Sequence, residues 1–217
     1  MPHVSIIVTT FNRKKQLKDT IDSIVNQTYK DYELLIIDNY SNYNFKEFIK
    51  SYNNIKIRAY QNLNHGIIAV NRNFGIEKSI GQYIAFCDDD DSWLPNKLQK
   101  QIDYINNNNL TNEKFVIYSH CIEYNKTFKR YSQYKEIKSL NHFIYNKHAK
   151  LHLSATILQK NDPPYMFNES QDFLAVEDFL YWCNLLSNNY KFHLIDEPLV
   201  KYYVDDQSSS SIFYELI

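Results

Sequence analysis

Tyr83-Ile84-Ala85-Phe86-Cys87-Asp88-Asp89-Asp90-Asp91-Ser92-Trp93 sets five apolar residues directly before four consecutive carboxylates. The apolar part is short and β-rich, the pattern of a buried strand. Four adjacent aspartates repel one another, and a fold gains no stability from lining them up at a strand end. A hard divalent cation reverses that balance, because Mg²⁺ or Mn²⁺ takes oxygen ligands, commonly one or two carboxylates plus the phosphates of a substrate. An isolated acidic run is usually a solvated turn. This one lies between an apolar strand and Trp93-Leu94-Pro95, so a site for a cation and phosphates is the better reading.

The neighbouring segments repeat the pattern. Val4 to Thr9 is an apolar run that ends in Thr-Thr-Phe-Asn, and Glu33 to Asp38 ends in Asp-Asn-Tyr-Ser. Ile55 to Tyr60 reads as a further strand. Between these runs, Lys14 to Asn26, Phe45 to Tyr52 and Ile68 to Ile80 carry apolar residues at helical spacing. Strands alternating with helices predict an α/β fold, a mostly parallel sheet covered on both faces. Ligands of such sheets gather at the carboxyl ends of the strands, where these polar tips fall. Further on, the spacing predicts a helix over Lys97 to Ile105, strands at Phe115 to His120 and Ser154 to Gln159, a helix over Ala175 to Leu186, and strands at Lys191 to Ile195 and Leu199 to Val204. Lys126 to Lys150 has no clear period and reads as a loop-rich excursion. No linker divides the 217 residues, so a single domain is expected, residues 1–217.

Twenty-four basic and 25 acidic residues give a net charge of -1, which supplies no general field for a nucleic-acid backbone. Cys87, Cys121 and Cys183 are odd in number and widely spaced; they read as reduced thiols of a cytoplasmic protein. No stretch approaches the ~20 apolar residues of a spanning helix, which leaves peripheral attachment to the inner face of a membrane open. His148 and His152, four apart, make at best a weak metal pair.

Five segments, "VSIIVTTFNR", "LLIIDNYS", "NHGIIAVNRNFGI", "YIAFCDDDDSW" and "AVEDFLYW", together resemble the successive motifs of glycosyltransferase family 2, the inverting enzymes of the GT-A (Rossmann-like) fold. The resemblance covers about residues 3 to 211. It implies a nucleotide-binding half, about 1–105, and an acceptor-binding half, about 106–217. It puts Thr9 and Phe11 beside the nucleobase and Asp38 in hydrogen-bonding reach of the base, a task a carboxylate can fill by accepting from a uracil imide; Asp38 could equally be a turn residue or a helix cap. It makes Arg13 and Arg72 candidates to pair with the diphosphate or base. Gly66 would let the chain pass close to the ligand, or is a plain loop glycine. Asp88, Asp89 and Asp90 fall on the metal-binding triplet, with Asp90 the direct ligand of Mn²⁺ or Mg²⁺ and Asp89 on the ribose or the metal's water. A one-residue shift would move these roles to Asp90 and Asp91.

The resemblance also makes Asp178 the general base and gives Glu177 an orienting or acceptor-binding role, although carboxylates in a first helical turn are favoured by the helix dipole in any case. Trp182 and Trp93 read as structural. Near the end, family members often carry an Arg and a His that contact the diphosphate; "KYYVDDQSSSS" has Tyr203 and Asp205 there. The expected partners are a nucleoside-diphosphate sugar, UDP-sugar favoured, and a glycan or lipid-linked glycan acceptor of bacterial surface polysaccharide synthesis, chosen by residues within 126–165. The chain is short for the family, members of which often continue into a C-terminal membrane-associating segment, and this fits a truncated chain. Two alternatives stand beside this reading. One is a sugar nucleotidyltransferase, disfavoured because "TTFNRKKQ" lacks a glycine-rich phosphate loop. The other is a non-catalytic nucleotide-sugar-binding subunit.

Overall fold

The computed structural model describes residues 3–53, 56–125 and 127–204. The first half alternates as its sequence predicts: β1 (Val4–Thr10), α1 (Lys14–Val25), β2 (Tyr32–Asp38), α2 (Phe45–Lys50), β3 (Ile57–Gln61), α3 (Ile68–Lys78) and β4 (Tyr83–Asp88). Every residue of β1 and β2 is buried, as expected for strands covered on both faces. On α1, Leu17, Ile21 and Ile24 form the buried stripe. Asn44 caps α2, accepting from the Glu47 amide while its own amide donates to the Glu47 carboxylate.

The second half adds β5 (Ser92–Trp93), α4 (Lys97–Asn107), β6 (Phe115–Tyr124), β7 (Lys129–Tyr131), α5 (Leu140–Tyr145), β8 (Ile157–Gln159), α6 (Glu177–Ser187) and β9 (Lys191–Tyr203). All nine strands join one sheet in the order β3-β2-β1-β4-β8-β6-β9-β5, with β7 paired to β6. β3, β2, β1 and β4 are mutually parallel. β8 runs antiparallel between β4 and β6, and β6 and β9 are parallel. The sheet therefore runs without a break through both halves.

Three features differ from the sequence expectation. The last two predicted strands are one, β9, with register shifts opposite Ser119 to Cys121. Asp196 there is fully exposed beside Glu197 and Pro198, and a bulge carries these polar residues out of the ladder. The excursion holds order: β7 and α5 form inside it. His148 and His152 lie on no common helix.

Two cores flank the sheet. One gathers Leu17, Ile21 and Ile24 with Leu98 and Ile102; the other gathers Ile76, Leu153, Tyr181 and Trp182. Gly75 is where α3 comes closest to the sheet, since a Cβ there would stand 2.5 Å from the Ile7 methyl. That close seating aims the Asn71 and Arg72 face of α3 at the ends of β1 and β4.

Candidate active site

The carboxyl ends of β1 and β2, the turn after β4 and the start of α3 converge on one cleft. It measures about 280 Å³, and its walls include Thr9, Thr10, Phe11, Asn39, Asn71 and Asp89, with Arg13 and Gly66 at its rim. Phe11 is 51% exposed there, a ring held in water at the mouth. Three non-glycine residues take left-handed backbone around it: Asn12, Tyr40 and His65 follow β1, β2 and β3. Such conformations store strain and gather at functional turns. Gly66 adds φ +83° with nothing in front of where a Cβ would stand, so the chain presents bare backbone to the cleft. A larger depression of about 520 Å³ beside Ile76, Glu77, Gly81 and Lys160 opens at the opposite end of β4; the acidic run is not part of it.

The acidic run divides its four carboxylates between two arginines and the interior. Arg72, buried on α3, donates to Asp88 at 3.1 Å and to Glu177 at 2.7 Å, and its guanidinium lies 5.4 Å from the centre of the Phe167 ring. Burial opposes its charge, but Asp88, Glu177 and Asp178 outweigh that and raise its pKa. Arg13, half exposed, bridges Asp89 at 3.0 Å and Asp90 at 2.7 Å. Thr10 donates a second bond to Asp89, 2.7 Å. Burial, then the charge of Asp88, pushes the Asp90 carboxyl up to about 6. Asp91 faces inward, buried, with no hydrogen-bonding partner for either oxygen among the described residues. Burial and Asp88 hold its pKa well above the carboxylate range. Asp91 thus points into the interior, while Asp88, Asp89 and Asp90 meet the two arginines.

Ser154 fixes the acidic turn from below, a role the sequence does not signal. Its hydroxyl accepts from the Asp88 amide at 2.9 Å and its carbonyl from the Trp93 indole at 2.8 Å. Lys97, fully buried, lies 3.8 Å from the Trp93 ring centre and donates to Gln101 and Thr156. Trp93 and Trp182 are both buried, as structural residues should be.

Glu177 and Asp178 open α6, where the helix dipole favours them. Asp178 accepts from the Phe179 amide at 2.7 Å. Burial raises its pKa, Arg72 partly offsets this and Glu177 adds to it, leaving the carboxyl pushed up to about 6. One oxygen of Glu177 is buried without a partner among the described residues.

Asp38 is held by the turn that follows it. It is 0% exposed, and its oxygens accept from the Ser41 amide and hydroxyl and from the Gln61 amide. Those bonds make it an anchor of the turn after β2, one of the roles its position allowed. The next residue, Asn39, lines the cleft instead and accepts from the Asn64 amide at 3.0 Å. Asn71 joins it, with a buried side-chain nitrogen that has no described partner. Tyr203 ends β9, half-exposed and stacked on Tyr124; Asp205 lies outside the described residues.

No three His, Cys, Asp or Glu side chains among the described residues form a metal cage. The oxygens of Asp88 and Asp90 nevertheless suit a hard cation whose coordination a ligand's phosphates complete. Each commits one oxygen to an arginine, and the upward pull on Asp90 from its neighbours is what a cation would relieve.

A curled α/β sheet with an arginine-tied acidic run at its carboxyl edge defines a glycosyltransferase of the GT-A fold, and solved structures agree. S. aureus TarS 1-349 in complex with UDP-GlcNAc matches with a TM-score of 0.78 at 20% identity, covering 98% of this chain and 64% of that one. The mannosyltransferase PcManGT from Pyrobaculum calidifontis in complex with GDP-Man and Mn²⁺ matches with a TM-score of 0.70 at 13% identity, covering 97% of this chain and 59% of that one. The chain belongs to glycosyl transferase family 2, the model of which matches residues 5–162. An uncharacterized glycosyltransferase of Methanocaldococcus jannaschii is 31% identical over 96% of this chain and 73% of its own length. The UDP-Glc:alpha-D-GlcNAc-diphosphoundecaprenol beta-1,3-glucosyltransferase WfaP of Escherichia coli is 30% identical over 88% of this chain and 73% of its own. The chain spans less than two thirds of the TarS lengths it matches.

Proposed function

We propose that this family 2 glycosyltransferase moves a sugar from a UDP-sugar, with inversion, onto a hydroxyl of a lipid-linked glycan in surface polysaccharide synthesis, working at the cytoplasmic face. The observation that carries the reading is the chain Asp88–Arg72–Glu177 beside Asp178. It ties the strand-end acidic run to the one carboxylate pair on α6, so a donor phosphate and an acceptor hydroxyl can meet between them. UDP is favoured by the similarity to TarS, solved with UDP-GlcNAc, and to the UDP-Glc-dependent WfaP, and a lipid-linked acceptor by the latter.

In this reading the nucleoside lies along Thr9, Phe11, Asn39 and Asn71. Asp88 and Asp90 would hold a Mn²⁺ or Mg²⁺ ion together with the donor's phosphates, and bound there it supplies positive charge to the departing diphosphate. Arg13 stands at the same rim, and its fork suits a phosphate. Asp178 takes the proton from the acceptor hydroxyl as that oxygen bonds to the anomeric carbon. The bond from that carbon to the phosphate oxygen breaks, and the electron pair leaves with the nucleoside diphosphate. A pKa near 6 leaves Asp178 ionised at neutral pH yet more basic than an ordinary carboxylate. Arg72 and Glu177 hold its surroundings.

The test is donor hydrolysis and transfer by the full chain and Asp178→Asn, with donor binding measured in parallel. Lost turnover with binding intact is expected; equal turnover removes the assignment. Lost binding of every nucleotide sugar by the parent chain removes the whole reading.

A further inference from the structure

The excursion between β6 and β8 carries a charge imbalance. Residues 127–152 contain six Lys and Arg against one acid, Glu136, in a chain whose overall charge is -1. The excess is displayed around α5. Lys135, Lys138 and Lys147 are exposed. The Lys135 amide donates to the His148 carbonyl and the Lys138 amide to the His142 ring, which draws all three lysines about one short helix.

The same helix puts apolar groups in water. Ser139 caps it, its hydroxyl accepting from the His142 amide. Phe143 turns inward and stacks on Phe179 of α6 at 5.1 Å. Ile144 and Tyr145 turn outward, 42% and 84% exposed. Leu174, just before α6, is 49% exposed. Scattered exposed apolar residues need no explanation, but exposed apolar tips on a short helix flanked on both sides by exposed lysines have the composition of an interfacial contact. Tyrosine rings favour the headgroup zone, and each basic residue near an anionic surface adds about 1 kcal/mol of attraction. The Phe143–Phe179 stack joins α5 to α6, the helix that Glu177 and Asp178 open.

We propose that α5 is the face by which this enzyme sits on an anionic membrane. Ile144 and Tyr145 enter the headgroup layer, while Lys135, Lys138 and Lys147 lie over the phosphates. The contact is peripheral; no helix among the described residues is long and apolar enough to cross a bilayer. It deepens the proposed function and rests on it in one respect: a lipid-linked acceptor standing in that membrane would bring its glycan to the α6 carboxylates.

Co-sedimentation of the full chain with phosphatidylcholine vesicles, with and without phosphatidylglycerol, tests this. Binding only to the anionic vesicles is expected. Lys135→Glu/Lys138→Glu/Lys147→Glu should weaken it at least about a hundredfold, near fivefold per lysine removed. Ile144→Asp/Tyr145→Asp should abolish sedimentation while circular dichroism stays unchanged. Both variants should keep vesicle-free hydrolysis of the donor, so failure of the transferase reading registers separately from failure here. Parent protein that ignores anionic vesicles, variants that bind as the parent does, or equal capture by soluble polyphosphate would each overturn the proposal.

Discussion

Arg72 Nη1 lies 2.7 Å from Glu177 Oε1, a contact between residues 105 positions apart that joins α3, in the first half of the chain, to the helix carrying Asp178. The same guanidinium reaches Asp88 at 3.1 Å. Removing it strands a buried Glu177, one oxygen of which already lacks a described partner. Arg72→Ala should therefore lower stability by about 3–5 kcal/mol, the range for breaking a buried pair. Arg72→Lys keeps the charge but loses the fork, since an ammonium cannot hold both carboxylates in one plane. It should fold, retain donor binding and lose most turnover. Denaturant melts and single-turnover assays check the pair; a Lys variant with parental rates would reduce the bridge to a structural staple.

Asp178 links activity and stability to pH in opposite senses. Its carboxyl is held at about 6 by burial and Glu177 against the pull of Arg72, above the 3.8 of an unfolded aspartate. In the proposed role of base it must be ionised, so turnover should fall as pH drops through 6. The folded state binds the proton more tightly than the unfolded one. The stability this contributes is complete below pH 4 and is lost as pH rises through 6. Asp178→Asn removes that penalty, and at pH 8 should be more stable than the parent by roughly 1–3 kcal/mol, while turnover vanishes at every pH. Thermal melts across pH 4 to 8 read this directly.

Much of this frame is legible in the sequence because its strands are continuous apolar runs. β1, β2 and β4 are buried on both faces, and a strand with no wet face announces itself by composition. The acidic run is legible because four aspartates at such an end contradict local stability. What stays hidden depends on direction and distance. Asp38 and Asn39 are neighbours at the same strand end, and only the turn geometry decides that the carboxylate points inward to Ser41 and Gln61. Ser154 is one serine among many until the fold sets it under Asp88. β7 and α5 span three and six residues, too short for a period to register, although Ser139 ahead of Leu140 is a cap signal. Single strands at Lys191 to Ile195 and Leu199 to Val204 are one, since a bulge of exposed charged residues looks like a loop.

The Asp38 and Asn39 pair gives a direct comparison of anchor against contact. Asp38→Ala leaves the Ser41 amide and Gln61 side chain without their acceptor in a buried place, which should lower stability by about 2–4 kcal/mol. Its effect on donor affinity should follow from unfolding alone. Asn39→Ala gives up one bond to the Asn64 amide, about 1 kcal/mol, and should fold normally. Its donor KM should rise several-fold because the cleft loses a polar wall. Isothermal titration with UDP-sugar on both variants at a temperature where each is folded separates the roles. Equal loss of affinity in the two would return the contact to Asp38.

A divalent cation held at Asp90, as proposed, would compete with Arg13 for that carboxylate, and the competition has a signed consequence. Arg13 bridges Asp89 and Asp90 from a half-exposed position. A Mn²⁺ ion drawn to Asp90 meets both the guanidinium's bond and its like charge. Arg13→Ala removes both, so Mn²⁺ without donor should bind more tightly, roughly two- to fivefold for a pair this exposed. The donor diphosphate loses a positive partner in the same variant, so its KM should rise. One substitution thus moves the two affinities in opposite directions, which a general loosening of the loop after β1 cannot do. Asp90→Asn should abolish the Mn²⁺ response in both backgrounds. With the Asp90 carboxyl held at about 6 by burial and Asp88, protons compete for it, and metal affinity should weaken as pH falls below 6. Electron paramagnetic resonance of free Mn²⁺, run against pH with and without UDP, follows both quantities. If Arg13→Ala weakens metal and donor together, the arginine is part of the cation's own support and the competition does not exist.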